Sequence, residues 1–172
     1  MVPPPDPDRA AADVLAALHR AGLTLAVAES VTGGMLAATL TGVPGASAVF
    51  QGAVVAYASS LKVRLLDVPA ELVGRVGVVS AEVAEAMAVG ARSRCGSTWA
   101  VSTTGVAGPD MQEDKPVGTV YVGWAGPHAA GSERLQLAGG RVAIRRAACA
   151  HALSLLQDRL SRAGEQPLPG TG

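Results

Sequence analysis

Aromatic side chains are scarce: one Phe, two Trp and two Tyr among 172 residues. A core of ordinary size must then be built mainly from Ala, Val and Leu. The composition, 49% hydrophobic and 16% charged, allows such a core and excludes a disordered chain. Cysteine is equally sparse. Cys95 and Cys149 lie far apart with no metal-ligand spacing around them, which reads as two buried free thiols in a reducing compartment. Excess charge of either sign is also missing. The chain carries 14 basic and 14 acidic residues, and no basic block stands out, which argues against nucleic acid as a partner. No apolar run approaches the length of a membrane span, and the prolyl, acidic start MVPPPDPDRA lacks the apolar region of a secretory signal. A cytoplasmic protein without membrane contact is expected.

What is present is a regular alternation. Asp8 to Gly22 reads as a helix with Asp8 as N-cap, an apolar face of Val14, Leu15 and Leu18, and Gly22 as the stop. LTLAVAE, ending at Glu29, is a short strand apolar on both sides, as expected where a sheet is covered on both faces. A helix opening at Thr32 and closing at Gly42 follows, then a strand from Phe50 to Ala58 and a short helix, SSLKVRLLDV. Ser80 caps a longer helix, and STWAVSTTG forms the next strand, running into the loop VAGPDMQEDKPVG. TVYVGWA and ERLQLAG pair as an antiparallel hairpin, and Arg141 to Arg162 is the last helix. The pattern predicts one three-layer α/β sandwich with a mixed, largely parallel sheet over residues 1–165, and a loose tail over 166–172.

Composition does not explain the strand ends. The first strand stops on Glu29, Ser30, Val31 and Thr32, followed by Gly33 and Gly34. The second ends near Tyr57, with Lys62 five residues on, and the third ends in Ser102, Thr103, Thr104 and Gly105. In open α/β sheets ligands bind beyond the carboxyl ends of the strands, so these hydroxyls and glycines are expected to line one crevice. The serine-hydrolase motifs are incomplete. Ser59 and Lys62 have S-x-x-K spacing without S-D-N or K-T-G, and Gly45-Ala46-Ser47 is half of a G-x-S-x-G elbow. His19, His128 and His151 are poorly placed as a triad base, which turns attention to lysine. GVAGP lacks the third glycine of a dinucleotide fingerprint, and no Walker A pattern is present.

AESVTGG, GASAVFQGAVVAYASSLK, VSTTGVAGPD, KPVGTVYVG and GGRVAIRRAA occur in this order. Together they resemble the stand-alone form of the CinA C-terminal domain family, over roughly Ala12 to Leu160. The resemblance implies an amidohydrolase that converts nicotinamide mononucleotide to nicotinate mononucleotide and ammonia. It also implies a Ser–Lys mechanism without metal or organic cofactor, and a homodimer. Carried over by motif, Ser47 is the nucleophile and Lys62 its base, with Ser30 the rival nucleophile. Tyr57 and Thr104 complete the polar site, and Arg145, or else Arg141, holds an anionic part of the substrate. Three departures stand out. Val31 replaces a common cysteine, Ser59 replaces an asparagine, and the loop before Lys115 lacks the usual glycines. The N-terminal domain of larger relatives has no counterpart here, which leads one to expect an autonomous enzyme.

The assignment has physical requirements. With a reference pKa of about 10.4, only about one lysine in 2,500 is neutral at pH 7. A base needs that value lowered to roughly 7–8, about 4 kcal/mol, through burial or a nearby cation. A nearby carboxylate would act the other way, so Glu29 is expected to point away from Lys62. The oxyanion needs donors already in place, and Gly105 or the backbone near Ser47 can supply them. The helix start at Thr32, Gly33 and Gly34 is the expected seat for the substrate's phosphate.

Overall fold

The computed structural model describes residues 6–165, and the tail expected over 166–172 lies outside the described residues. Helix α1 (Pro7–Ala21) begins two residues earlier than an N-cap at Asp8 would place it. Asp6 is the N-cap and accepts from the Asp8 N–H at 3.3 Å, while Pro7, which has no N–H to leave unpaired, occupies the first turn. Gly22, at φ 66°, ends the helix in the left-handed region.

Five strands follow the expected alternation: β1 (Leu25–Glu29), β2 (Phe50–Val55), β3 (Trp99–Gly105), β4 (Thr119–Ala125) and β5 (Ala130–Gln136). They form one mixed sheet in the order β2-β1-β3-β4-β5. β1 is parallel to both β2 and β3, whereas β3–β4 and β4–β5 are antiparallel. The hairpin sits three residues earlier on its second arm than ERLQLAG suggests.

The helices are α2 (Met35–Thr41), α3 (Ser59–Leu66), α4 (Ala70–Val76), α5 (Ala81–Cys95) and α6 (Arg141–Glu165), with a 3₁₀ turn at Ala46–Ala48. α4 is an element that the apolar pattern did not predict. It spans only about two turns, and its Leu72, Val73 and Val76 are no more than partly buried against the second layer, too short a stripe to read. Among the described residues no helix is long and apolar enough to cross a membrane.

Strand alternation divides the interior into two layers. Leu25, Val27 and Val101 face α1, α2 and α6, whereas Ala26, Ala28 and Ala100 face α3 and α5. Cys149 of α6 is buried in the first layer, and Cys95 at the end of α5 is half-buried against the second. Small residues set the layer spacing. A Cβ on Gly123 of β4 would fall 2.1 Å from the Ala84 carbonyl oxygen of α5. The absence of a side chain there lets α5 lie close against the sheet.

This topology opens one crevice. β1 runs into α2 on one face of the sheet, and the neighbouring β2 runs into α3 on the other. The two connections diverge, leaving a gap beyond the carboxyl ends of the parallel strands.

Candidate active site

At the end of β1 the carboxylate of Glu29 is fully buried and turned into α2. Oε2 accepts from the N–H groups of Gly34 and Leu36, both at 3.0 Å, and from the Thr32 hydroxyl at 2.6 Å. Oε1 accepts from the Ala37 N–H at 2.8 Å. Gly33 and Gly34, at φ 58° and 97°, give the turn its left-handed backbone, and the Gly33 N–H bonds the Ser30 carbonyl at 3.1 Å. The carboxylate thus points away from Lys62, as electrostatics requires. The same contacts overturn the phosphate seat expected at Thr32, Gly33 and Gly34. Those donors are already used internally, and an incoming anion would meet a carboxylate. Thr32 is buried and lies 2.7 Å from the Thr103 hydroxyl, so it ties β1 to β3 and does not face the crevice.

Ser30 follows directly, its N–H held by the Thr103 carbonyl at 2.9 Å. Lys62 of α3 is 1% exposed. Its Nζ donates to Ser30 Oγ at 3.0 Å, to the Ala56 carbonyl at 2.9 Å and to the Tyr57 carbonyl at 3.4 Å. Burial lowers the amine from 10.5 to about 8, against an upward pull from the Glu113 carboxylate. When the amine is neutral, the two carbonyls can take both of its N–H groups, leaving the lone pair facing the serine hydroxyl.

The Ser47–Lys62 pair implied by the family motif is not formed. Ser47 is exposed in the 3₁₀ turn before β2, whereas Lys62 lies beyond that strand's other end. A strand of this length separates its ends by roughly 20 Å. Ser30 takes the place next to the amine. Ser59, the other half of the S-x-x-K pattern, borders the crevice but is not a partner of the Lys62 amine.

Ser30 and Lys62 open into a cavity of about 140 Å³. One wall is the end of β3 and the loop after it, Thr104 to Gly108, and another is Val78–Val79 before α5. The buried Thr104 hydroxyl donates to the Val78 carbonyl at 2.8 Å, so it braces the second wall. Val106 exchanges both of its backbone bonds with the β4 side, through Thr119 and Gly118, each at 2.8 Å. By alternation the Gly105 N–H faces the opposite side, toward the end of β1 where Ser30 stands.

Arg141, at the start of α6, marks the mouth of the cavity. It donates to the Gly108 carbonyl at 2.7 Å and to the Tyr57 hydroxyl at 2.9 Å. Arg145, the first choice from the motif, does not border the cavity. It donates to the Thr32 carbonyl at 2.6 Å and holds the β1–α2 turn from behind. Sequence reasoning missed Val78, Val79 and Glu113. The valines read as core, and Glu113 lies in a polar loop where nothing in the sequence distinguishes it from its neighbours.

The family model of the CinA C-terminal domain matches residues 8–160. A CinA-like protein of Frankia casuarinae is 48% identical over 159 residues, covering 92% of this chain and 37% of that protein. One from Parasynechococcus marenigrum is 50% identical over 156 residues, with 89% and 37% covered. The chain therefore spans a little over a third of the length of these relatives. Among solved structures, a competence-damaged protein (CinA) superfamily protein from Klebsiella pneumoniae 700603 superposes with a TM-score of 0.89 at 30% identity. That match covers 92% of this chain and 99% of the other. The competence/damage inducible protein from Agrobacterium tumefaciens gives 0.86 at 33% identity, with 94% and 99% covered. With an open five-stranded sheet of the same shape and a family match across nearly all of its described residues, the chain belongs to the CinA C-terminal domain family.

Proposed function

We propose that this chain is an amidohydrolase that cleaves the carboxamide of nicotinamide mononucleotide, with Ser30 as nucleophile and Lys62 as its base. One observation carries the reading: a dry lysine amine, lowered to about 8, lies 3.0 Å from a serine hydroxyl at the floor of a cavity. At pH 7 about one molecule in ten then holds the neutral amine, some two hundred times more than for an ordinary lysine. A purely structural lysine needs no such arrangement. The nucleotide itself is drawn from the family resemblance.

In the forward step the Ser30 hydroxyl attacks the carboxamide carbon while its proton passes to the Lys62 amine. The carbonyl oxygen becomes an oxyanion, and the Gly105 N–H is the donor oriented to receive it. Collapse breaks the C–N bond, Lys62 returns the proton to the leaving nitrogen, and ammonia departs from a Ser30 ester. Water attacks the ester, giving its proton to Lys62; the bond to Ser30 Oγ then breaks, Lys62 returns the proton to that oxygen, and nicotinate mononucleotide leaves. The cavity is small, so the pyridine carboxamide enters and the 5′-phosphate stays at the mouth beside Arg141, a guanidinium suited to a phosphate.

Ammonia release from purified protein and nicotinamide mononucleotide, assayed between about pH 6 and 9, tests this. Ser30→Ala is expected to lower kcat by ~10³-fold or more, and Ser47→Ala to leave it near wild type. An inactive Ser47→Ala beside an active Ser30→Ala would reverse the assignment. Binding of the nucleotide without ammonia release would make the chain a binding module.

A further inference from the structure

The loop between β3 and β4, residues 106–118, forms the outer side of the cavity through Asp110 and Gln112. At its tip Gln112 and Lys115 exchange backbone bonds of 3.2 and 2.9 Å, making a two-residue turn of Glu113 and Asp114. Both central residues have positive φ, 52° and 57°. Such a turn normally selects Asn, Asp or Gly, so Asp114 fits it, whereas a glutamate holds this backbone only where other contacts over-determine it.

Glu113 makes those contacts. Its Oε1 accepts from the Val78 N–H at 2.9 Å and its Oε2 from the Val79 N–H at 3.0 Å. The preceding residue is Gly77, and a Cβ there would fall 2.4 Å from Glu113 Oε2. The carboxylate therefore occupies the volume that any other residue at position 77 would fill. Val78 and Val79 line the cavity, and Thr104 grips the Val78 carbonyl from the opposite direction. The wall facing Lys62 is thus clamped from the sheet by a hydroxyl and from the loop by a carboxylate.

We propose that Glu113 is a positioning residue for the Ser30–Lys62 pair, latching the 106–118 loop onto Val78 and Val79 so that the cavity stays closed around the amine. This rests on the hydrolase reading for its consequence in catalysis, though not for the latch itself. The carboxylate also opposes the loss of the Lys62 proton, so removing its charge makes the amine easier to deprotonate. The other titratable or charged groups bordering the cavity are Asp110 of the same loop, Tyr57 beyond β2 and Arg141 of α6. Glu29 is turned into α2, and Asp67, Glu82 and Glu85 line a separate groove between α3 and α5.

The test needs no substrate at first. Lys62 is titrated by NMR of its side-chain carbon in wild type, Glu113→Gln and Glu113→Ala, and exchange of the Val78 and Val79 amides is followed in the same samples. The Lys62 midpoint is expected near pH 8 in wild type and at lower pH in Glu113→Gln, which loses the charge. It is expected higher in Glu113→Ala than in Glu113→Gln, because the opened wall lets water back to the amine. Exchange at the two amides is expected to quicken ~10-fold or more in Glu113→Ala. A midpoint that does not move in Glu113→Gln, or unchanged exchange in Glu113→Ala, overturns the proposal, because a mere loop staple would alter the exchange alone. Kinetics then add a rise in KM in both variants and, in Glu113→Gln, an acid limb displaced to lower pH. If wild type releases no ammonia, the hydrolase reading fails while the titration and exchange still decide the role of Glu113.

Discussion

A lysine amine kept out of water is a burden on the fold at neutral pH. Lowering Lys62 from 10.5 to about 8 corresponds to roughly 3 kcal/mol of preference for the uncharged form. Below about pH 8 both folded and unfolded chains hold the proton, and the folded chain bears the full cost of the buried ammonium. Between about 8 and 10.5 the folded chain releases that proton while the unfolded chain keeps it, so this residue's contribution to stability rises with pH across that window. Lys62→Met is therefore expected to abolish turnover yet melt at a higher temperature than wild type at pH 7, with the margin narrowing toward pH 10. Thermal melts at both pH values check this, and a variant that melts lower at pH 7 would mean that the bonds to Ser30, Ala56 and Tyr57 outweigh desolvation. Legibility at this scale was uneven. Lys62 was identifiable because a motif placed it just past a strand end. Ser47 misled because linear spacing carries no information on which end of β2 a residue occupies.

At the scale of elements, α2 depends on a residue outside itself. Seven residues are too few for a helix to persist alone, and its first turn would leave N–H groups unpaired. Glu29 satisfies the N–H groups of Gly34, Leu36 and Ala37 and the Thr32 hydroxyl with one buried carboxylate. Glu29→Ala should cost about 3 kcal/mol or more in urea unfolding at pH 7, with Glu29→Gln losing less because the amide keeps one acceptor oxygen. Equal losses in the two would show that packing, not hydrogen bonding, holds the turn. The carboxylate after the first apolar strand was conspicuous in the sequence, and its direction followed from electrostatics. Its partner did not, since Ser30, Thr32 and the glycines read equally well as ligand donors. α1, α5 and α6 were visible from apolar spacing, with Ser80 and Gly22 acting as punctuation. α4 was hidden because its short apolar face, Leu72, Val73 and Val76, is only partly buried, and the Glu113 latch because its turn shows no glycine or asparagine.

Across the whole molecule, the sheet separates two interiors of different character, with α6 closing the larger one. Cys149 lies on that helix, and burial together with the negative charge of Glu29 pushes its thiol up to about 12, against the pull of Arg145 and Arg146. A thiol so rarely ionised is inert to alkylation unless the layer around it comes apart. Iodoacetamide should accordingly modify the half-buried Cys95 in native buffer, while Cys149 reacts only at the rate of global opening, rising with urea as steeply as unfolding itself. Equal rates for the two in buffer would mean that α6 detaches on its own. The pair makes the untagged chain its own stopwatch: one sulfur counts the collisions that reach the rim, the other counts how often the whole body lets go.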